Sequence, residues 1–163
     1  MLLAMLLAHL VGDYVLQWDA LARWKSRELK GVLVHGAIVL SATWLFSVPF
    51  DTGWWPWAVF VGLTHTAVDA LWLGNRFWRP GAGLPAFARL LLDQAVHLSL
   101  ILVALAASGY LWMPSSEPDL VLALRDNRLL VFALAYVFIT TPAWILVEFS
   151  VFGLLKRSAP DFS

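Results

Sequence analysis

The histidines of this chain recur with aspartates at a spacing that suits the binding of a cation. Three of the four histidines have an aspartate four residues away, in the stretches "HLVGD", "HTAVD" and "DQAVH". Residues four apart lie on one face of an α-helix with their Cβ atoms about 5–6 Å apart, so both side chains can reach one ion. The remaining histidine lies in a similarly apolar stretch. We therefore predict seven metal ligands, which are His9, Asp13, His35, His65, Asp69, Asp93 and His97.

The chemistry of this ligand set indicates transition metals. Imidazole and carboxylate groups together favour zinc, which we expect first, with manganese or iron as alternatives. Seven ligands are too many for one tetrahedral ion, so we expect two divalent ions with a bridging carboxylate and open positions for water and substrate. Two other interpretations stay open at this point. They are hydrogen bonding between neighbouring membrane helices and a pathway for protons or ions.

The composition indicates that these residues lie within a membrane. Of the 163 residues, 61% are hydrophobic and 13% charged, and the mean hydropathy is +0.76, whereas roughly a quarter of the residues of a soluble domain are charged. The ten tryptophans are typical of membrane interfaces. The absence of cysteine excludes disulfides and thiolate metal sites. With zero net charge and no basic run, we expect no nucleic-acid partner.

The predicted fold is an all-α polytopic membrane bundle of five transmembrane helices in a single domain, residues 1–163. A helix that crosses a bilayer needs roughly 20 residues. The five apolar stretches are about 1–17, 31–49, 55–74, 89–113 and 129–153. The last contains Pro142, where we expect a kink. We expect the first stretch to be a retained span rather than a cleaved signal, because no Lys or Arg precedes Arg23.

The basic residues predict the orientation of the bundle. Nine of the eleven lysines and arginines fall in the first loop, the third loop region and the C-terminal tail, and the other two in the fourth loop. Because basic loops face the cytoplasm, we expect the N-terminus outside and the C-terminus in the cytoplasm. At about 1.5 Å per residue, four of the predicted ligands then share one layer roughly 6–8 Å below the cytoplasmic helix ends. Asp93 and His97 occur in reversed order because their helix runs opposite to those of the other pairs.

Five further polar residues are candidates for catalysis or substrate binding. Glu148 falls at the aspartate level of the fifth span, as a general base, an eighth ligand or the partner of a basic side chain. Gln94 is a second catalytic candidate and Gln17 a substrate-binding one, although both also suit hydrogen bonding between helices. Arg23 and Lys30 in the first loop are candidate phosphate-binding residues, although loop cations also serve as orientation signals.

The stretches "HLVGDYVLQ", "KGVLVH", "HTAVD" and "LLDQAVH" resemble an uncharacterised family of small bacterial membrane proteins, a domain of unknown function. The resemblance extends through the fourth predicted span, and Trp18 stands where the family signature has a threonine. More remotely, the paired motifs look like those of membrane-bound metal-dependent hydrolases and of zinc-dependent phospholipase C. The first resemblance implies a location in the bacterial cytoplasmic membrane, and the second implies hydrolysis of phosphate esters.

We therefore expect a metal-dependent phosphohydrolase whose site lies near the cytoplasmic face. Membrane lipids are its expected partners, with a phospholipid or an isoprenoid phosphate as substrate. The chain has no cysteine and no serine beside a histidine at this depth, which favours metal-activated water over a protein nucleophile. The alternatives are a divalent-cation or proton transporter or channel, and a di-iron membrane oxidoreductase. A transporter needs polar residues out to the far face, and di-iron bundles rely on glutamates.

Overall fold

The long apolar runs of the chain form helices, because a helix satisfies its own backbone hydrogen bonds where no water is available. The computed structural model describes residues 1–74, 84–111, 127–140 and 142–155. The α-helices in these ranges are α1 (Leu2–Leu10), α2 (Asp19–Lys25), α3 (Leu29–Ser47), α4 (Trp55–Gly74), α5 (Leu84–Ala107), α6 (Asn127–Thr140) and α7 (Pro142–Leu155). A π-helical turn, Val11–Val15, continues α1, and a 3₁₀ turn, Thr52–Trp54, precedes α4.

Helices long and apolar enough to cross a bilayer identify the chain as a membrane protein. In the described ranges they are Leu29–Ser47, Pro85–Ala107 and Arg128–Glu148, of which the last runs across residue 141, outside those ranges. The all-α class is thereby confirmed for the described part of the chain. Helix α4, with 20 residues, is not among these three stretches. The arrangement of five spans and its orientation stay predictions.

The beginning of the chain differs from the predicted single helix over residues 1–17. Helix α1 has 9 residues and the π-helical turn after it has 5, so this apolar helix is shorter than the roughly 20 residues that a span needs. The first loop was predicted as a connection without a helix. Seven of its residues form α2. Helix α2 buries Leu21 and packs against α3.

The last predicted span is described as two helical ranges on either side of residue 141, which lies outside the described residues. Helix α6 reaches Thr140 and α7 starts at Pro142, and the expected kink at Pro142 stays a prediction. Helix α6 packs against α1, and α7 packs against α5. Most of the predicted third and fourth loops and the C-terminal tail, residues 75–83, 112–126 and 156–163, lie outside the described ranges.

Two glycines allow close contacts that position the polar end of the bundle. A Cβ on Gly36 of α3 would overlap the Thr66 hydroxyl of α4. A Cβ on Gly31 would lie 2.5 Å from the backbone nitrogen of Lys25 and 2.6 Å from the carbonyl carbon of Trp24. Small residues let helix backbones approach each other in this way. Gly31 therefore holds the C-terminal end of α2 against the first turn of α3.

An apolar core fills the other end of the bundle. It combines the first halves of α1 and α4 with the last part of α5, and its residues are Ala4, Met5, Trp54, Ala58, Val61, Ile101, Ala104 and Leu105. At its edge Trp54 Nε1 donates to Ser108 Oγ at 2.9 Å, and the Tyr110 hydroxyl donates to Asp51 Oδ2 at 2.9 Å. The end of α1, the end of α4 and the start of α5 therefore meet at the opposite end, where the histidines and aspartates lie.

Candidate metal centre

The predicted ligands come from five segments that meet in the polar half of the bundle. Helix α1 supplies His9, the π-helical turn Asp13, α3 His35, α4 His65 and Asp69, and α5 Asp93 and His97. The four imidazoles are at most 2% exposed, and two of the aspartates are 8% exposed. Each of the seven side chains belongs to at least one of three groups whose ligand atoms lie within 4.8 Å of one another. Ionisable groups buried among membrane helices are costly unless paired, so the cluster is a candidate functional centre.

Two imidazole nitrogens and two carboxylate oxygens lie close together at the centre of the cluster. His35 Nε2 lies 3.1 Å from His65 Nε2, 3.3 Å from Asp13 Oδ1 and 3.7 Å from Asp69 Oδ2. His65 Nε2 lies 3.4 Å from Asp13 Oδ1 and 3.6 Å from Asp69 Oδ2. Ligand atoms about 2.0–2.2 Å from a tetrahedral zinc ion are separated from each other by about 3.3–3.6 Å. In the five pairs that include a ring nitrogen, the separations of these four atoms, the four-atom pocket, are close to those of ligands on one ion.

Hydrogen bonding between the side chains does not account for the whole pocket. One hydrogen between the two imidazole nitrogens satisfies that pair. In the part of the chain that the structure describes, however, Asp13 Oδ1 has no hydrogen-bond partner, although it lies 3.3 and 3.4 Å from the nitrogens of His35 and His65. A buried carboxylate oxygen without a donor is unfavourable. A cation at the centre of the pocket would satisfy this oxygen together with the ring nitrogens.

A second group of ligand atoms shares a carboxylate with this pocket. Asp69, Asp93 and His97 bring their ligand atoms within 4.8 Å of one another, and His97 Nδ1 lies 3.7 Å from Asp93 Oδ2. Within the described ranges, Asp93 Oδ1 and both ring nitrogens of His97 are buried without a hydrogen-bond partner. The ring of His97 stacks on His65 with the centroids 4.0 Å apart. A second candidate ion position therefore lies beside the first.

A glutamine connects α1 and α5 next to these groups. His9 Nε2 lies 3.2 Å from Gln94 Oε1, and Gln94 Nε2 donates to Asp93 Oδ2 at 3.2 Å. The other ring nitrogen of His9, Nδ1, lies 3.8 Å from Asp13 Oδ2. Gln94 thus contacts two of the predicted ligands on two different helices.

A cavity of about 560 Å³ opens onto the aspartates of the centre. Its charged lining residues are Lys25, Arg27, Arg89, Asp69 and Asp93. Lys25 Nζ donates to Asp69 Oδ2 at 3.1 Å, and the Arg89 guanidinium lies over the Trp72 ring, 5.1 Å from its centroid. Three cationic side chains around two carboxylates, next to a candidate metal centre, give the cavity a potential that attracts anions.

The other predicted site residues lie in different surroundings. Arg23 and Lys30 are exposed, and the described lining of the cavity includes neither of them. Gln17 is partly buried, and its Oε1 has no hydrogen-bond partner among the residues that the structure describes. Glu148 is partly buried on α7 and belongs to none of the three ligand groups found in the described ranges. The functional roles of these four residues stay predictions.

The cations that line the cavity, Lys25, Arg27 and Arg89, were not among the site residues predicted from the sequence. Lys25 and Arg27 were grouped with the other basic residues of the first loop, and Arg89 served only as an orientation signal. One signal for Lys25 was present, because the apolar Leu21 precedes it by four residues. A helix through this part of the loop puts both residues on one face, and Leu21 is buried.

The side of the imidazoles away from the cavity is mainly apolar. A small space of about 10 Å³ there touches His9, His65 and His97, and its other lining residues are Val39, Thr43, Val61, Leu100 and Ile101. Val61 and Ile101 belong to the apolar core. The buried cluster is therefore bordered by the charged cavity on one side and by the core on the other.

The fold and this site together define a helical membrane protein with a buried cluster of histidines and aspartates. The chain belongs to the family described as "Protein of unknown function (DUF3307)", whose sequence model matches residues 1–119. The match includes all seven predicted ligands and the charged lining of the cavity, whereas Glu148 lies beyond it. No curated protein and no solved structure matches the chain.

Proposed function

We propose that the protein is a membrane-embedded, metal-dependent hydrolase of phosphate esters carried by lipids. The observation that carries the proposal is that Asp69 belongs both to the four-atom pocket and to the lining of the cationic cavity. An anion in the cavity would therefore meet metal ions at its floor and cationic side chains at its walls. Phosphoryl transfer depends on such combined charge compensation.

The proposed centre holds two divalent ions. The side chains of the four-atom pocket, together with His9, would hold the first ion, and Asp69, Asp93 and His97 would hold the second. Zinc is the first expectation, because the separations in the pocket suit a tetrahedral ion, and manganese or iron are the alternatives. Such ions lower the pKa of a bound water molecule towards neutrality and polarise the phosphoryl oxygens.

The cations of the cavity have separate roles in this proposal. Lys25 is hydrogen-bonded to Asp69 and orients that carboxylate towards the ions. Arg27 and Arg89 lie in the wall and donate to phosphoryl oxygens, since a guanidinium binds phosphate through two parallel hydrogen bonds. Exposed apolar side chains adjoin these residues in the chain, with Trp24 39% and Leu29 54% exposed. They support a substrate that keeps its hydrocarbon chain in the membrane.

The two alternative functions have less support. A transporter needs a polar path beyond the centre, and the far side of the imidazoles instead borders the apolar core. A di-iron oxidoreductase on bundle helices relies on several glutamates, whereas aspartates and histidines make up the ligand groups in the described ranges.

The test of the proposal is hydrolysis by the purified protein in proteoliposomes. The protein is loaded with zinc, manganese or iron and supplied with a panel of phospholipids and isoprenoid phosphates, and released phosphate or phospho-headgroup is measured. We expect turnover that requires metal and stops on chelation. If the metal-loaded protein turns over no member of the panel while ions cross the same liposomes, the transporter alternative replaces this proposal.

Substitution of the basic residues tests the role of the cavity. Arg27→Ala and Arg89→Ala should each raise KM about tenfold with a smaller change in kcat, because each removes a charge-assisted hydrogen bond to substrate. Arg23→Ala and Lys30→Ala are the comparison pair, because these two predicted phosphate-binding residues are exposed and do not line the described cavity, so we expect a smaller rise in KM. Equal effects in both pairs would show that only the overall charge of this face matters.

A further inference from the structure

The amide of Gln94 has one orientation that suits both of its neighbours. Its Nε2 donates to Asp93 Oδ2 at 3.2 Å, and a carboxylate that binds a metal ion is deprotonated and only accepts hydrogen bonds. The reversed amide would place its carbonyl oxygen against this carboxylate. Gln94 Oε1 therefore faces His9 Nε2, at 3.2 Å.

This orientation determines where His9 carries its hydrogen. A carbonyl oxygen only accepts, so His9 Nε2 is the donor, and Nδ1 is the ring nitrogen left to bind a metal ion. His9 Nδ1 lies 3.8 Å from Asp13 Oδ2. The two side chains are 2% and 8% exposed, so water does not separate these two atoms freely. A metal ion bound at His9 Nδ1 would offset the charge of this buried carboxylate oxygen.

We infer that Gln94 is a positioning residue that makes His9 bind metal through Nδ1. The inference rests on the metal centre of the proposed function, and it is independent of which substrate, if any, is hydrolysed. His35 and His65 direct Nε2 into the four-atom pocket. His9 differs from them, because it would bind through Nδ1. Asp13 Oδ2 then faces the metal-binding nitrogen of His9, while its Oδ1 faces the ring nitrogens of the four-atom pocket.

The same amide links His9 to a ligand of the second ion position. Gln94 donates to Asp93 Oδ2, which also lies 3.7 Å from His97 Nδ1. Loss of the glutamine therefore releases one ligand on α1 and one on α5 at the same time. Partners of this kind, which hold ligands in place, typically change metal affinity ten- to a hundredfold when they are removed.

Nitrogen NMR on the full chain tests the binding mode of His9 directly. Histidine is isotope-labelled, and the protein is loaded with a spin-active cadmium isotope in place of zinc. We expect the hydrogen of His9 on Nε2 and cadmium coupling at Nδ1, with coupling at Nε2 for His35 and His65. Cadmium coupling at His9 Nε2, or hydrogen on both nitrogens of His9 in the loaded protein, overturns the inference.

Two substitutions separate the contacts of the glutamine. Gln94→Leu removes both hydrogen bonds and should lower metal affinity at least tenfold, with loss of the cadmium coupling of His9. Gln94→Glu keeps an acceptor for His9 and removes the donor to Asp93, so the His9 coupling should return while affinity stays reduced. Ser99→Ala on α5 is the control, because Ser99 Oγ bonds only to the Ala95 carbonyl of its own helix among the described contacts.

The outcomes distinguish this inference from the proposed function. Unchanged affinity and unchanged His9 coupling in Gln94→Leu overturn the inference, and so does a loss of thermal stability without a change in coupling, since that marks a purely structural role. Cadmium binding with the expected coupling but without turnover of any phosphate ester overturns hydrolysis alone. A wild-type protein that binds no metal overturns the metal centre and with it both.

Discussion

Asp13 is the carboxylate that contacts the most imidazoles in the described centre. Its Oδ1 lies 3.3 Å from His35 Nε2 and 3.4 Å from His65 Nε2, and its Oδ2 lies 3.8 Å from His9 Nδ1. These three rings belong to α1, α3 and α4. One side chain therefore contacts three helices through rings that are themselves candidate ligands, so its charge is the most direct means of testing the centre.

Asp13→Asn should remove metal without unfolding the bundle. The substitution keeps the shape of the side chain and removes the charge that offsets the cations, so metal affinity should fall at least tenfold. Metal titration with thermal unfolding of the metal-free protein measures both effects. Asp51→Asn is the matched control, because Asp51 lies beside the apolar core and bonds to Gly53 and Tyr110. Equal metal affinity in the two variants would favour hydrogen bonding as the role of the cluster.

The sequence indicated the members of the cluster and left open which cations accompany it. The four-residue spacing of the paired motifs places two side chains on one face of any helix, and the structure brings all of these pairs together. Lys25 and Arg27, in contrast, differ from Arg23 and Lys30 only by their position around a short helix and its end. That position depends on how α2 packs on α3, and the sequence points to it only through the four-residue spacing of Leu21 and Lys25.

At the scale of the helix, the π-helical turn after α1 changes the geometry on which the first motif was predicted. The Leu16 amide bonds to the Val11 carbonyl at 2.8 Å, so the helix is wider where it carries Asp13. Such turns occur frequently at functional sites. His9 and Asp13 are four residues apart in the sequence whether the helix is regular or widened. The sequence could therefore predict the pair and not the widening.

Gly31→Ala should separate α2 from α3 and disturb the cavity. Its Cβ would lie 2.5–2.8 Å from backbone atoms of Trp24 and Lys25, and overpacking of this kind costs about 1–3 kcal/mol. We expect lower thermal stability and a raised KM, since Lys25 moves away from Asp69 while the seven predicted metal ligands remain. Gly53→Ala is the control, because its Cβ would meet only the end of the Asp51 side chain, at 3.1 Å. Wild-type stability and KM in Gly31→Ala would contradict this expectation.

On the scale of the whole molecule, the helices divide into a charged half and an apolar half. The division follows from helix direction, because α1 and α4 end at the centre and α5 begins there. Hydropathy alone predicted five spans, and three stretches meet the length and hydropathy of a span in the described ranges. The apolar helix at the start of the chain is too short, and α4 is not among the three, although α3 and α5, which also carry residues of the centre, are.

The predicted orientation can be tested on a chain that contains no cysteine. Ser26→Cys in the first loop should be labelled by a membrane-impermeant maleimide from the cytoplasmic side, and Thr52→Cys from the outside. Both positions are exposed, so both should react once the reagent has access. Labelling of both cysteines from the same side would contradict the orientation that the basic residues predict.

The apolar core beyond the imidazoles also determines how molecules enter and leave. Because the far end of the bundle is filled by packed side chains, the charged cavity is the passage that the described structure offers to the centre. In the proposed reaction the released phosphate must leave past the same arginines that attracted the substrate. Product and substrate then compete for one passage, so departure of the product sets how soon the next lipid is accepted.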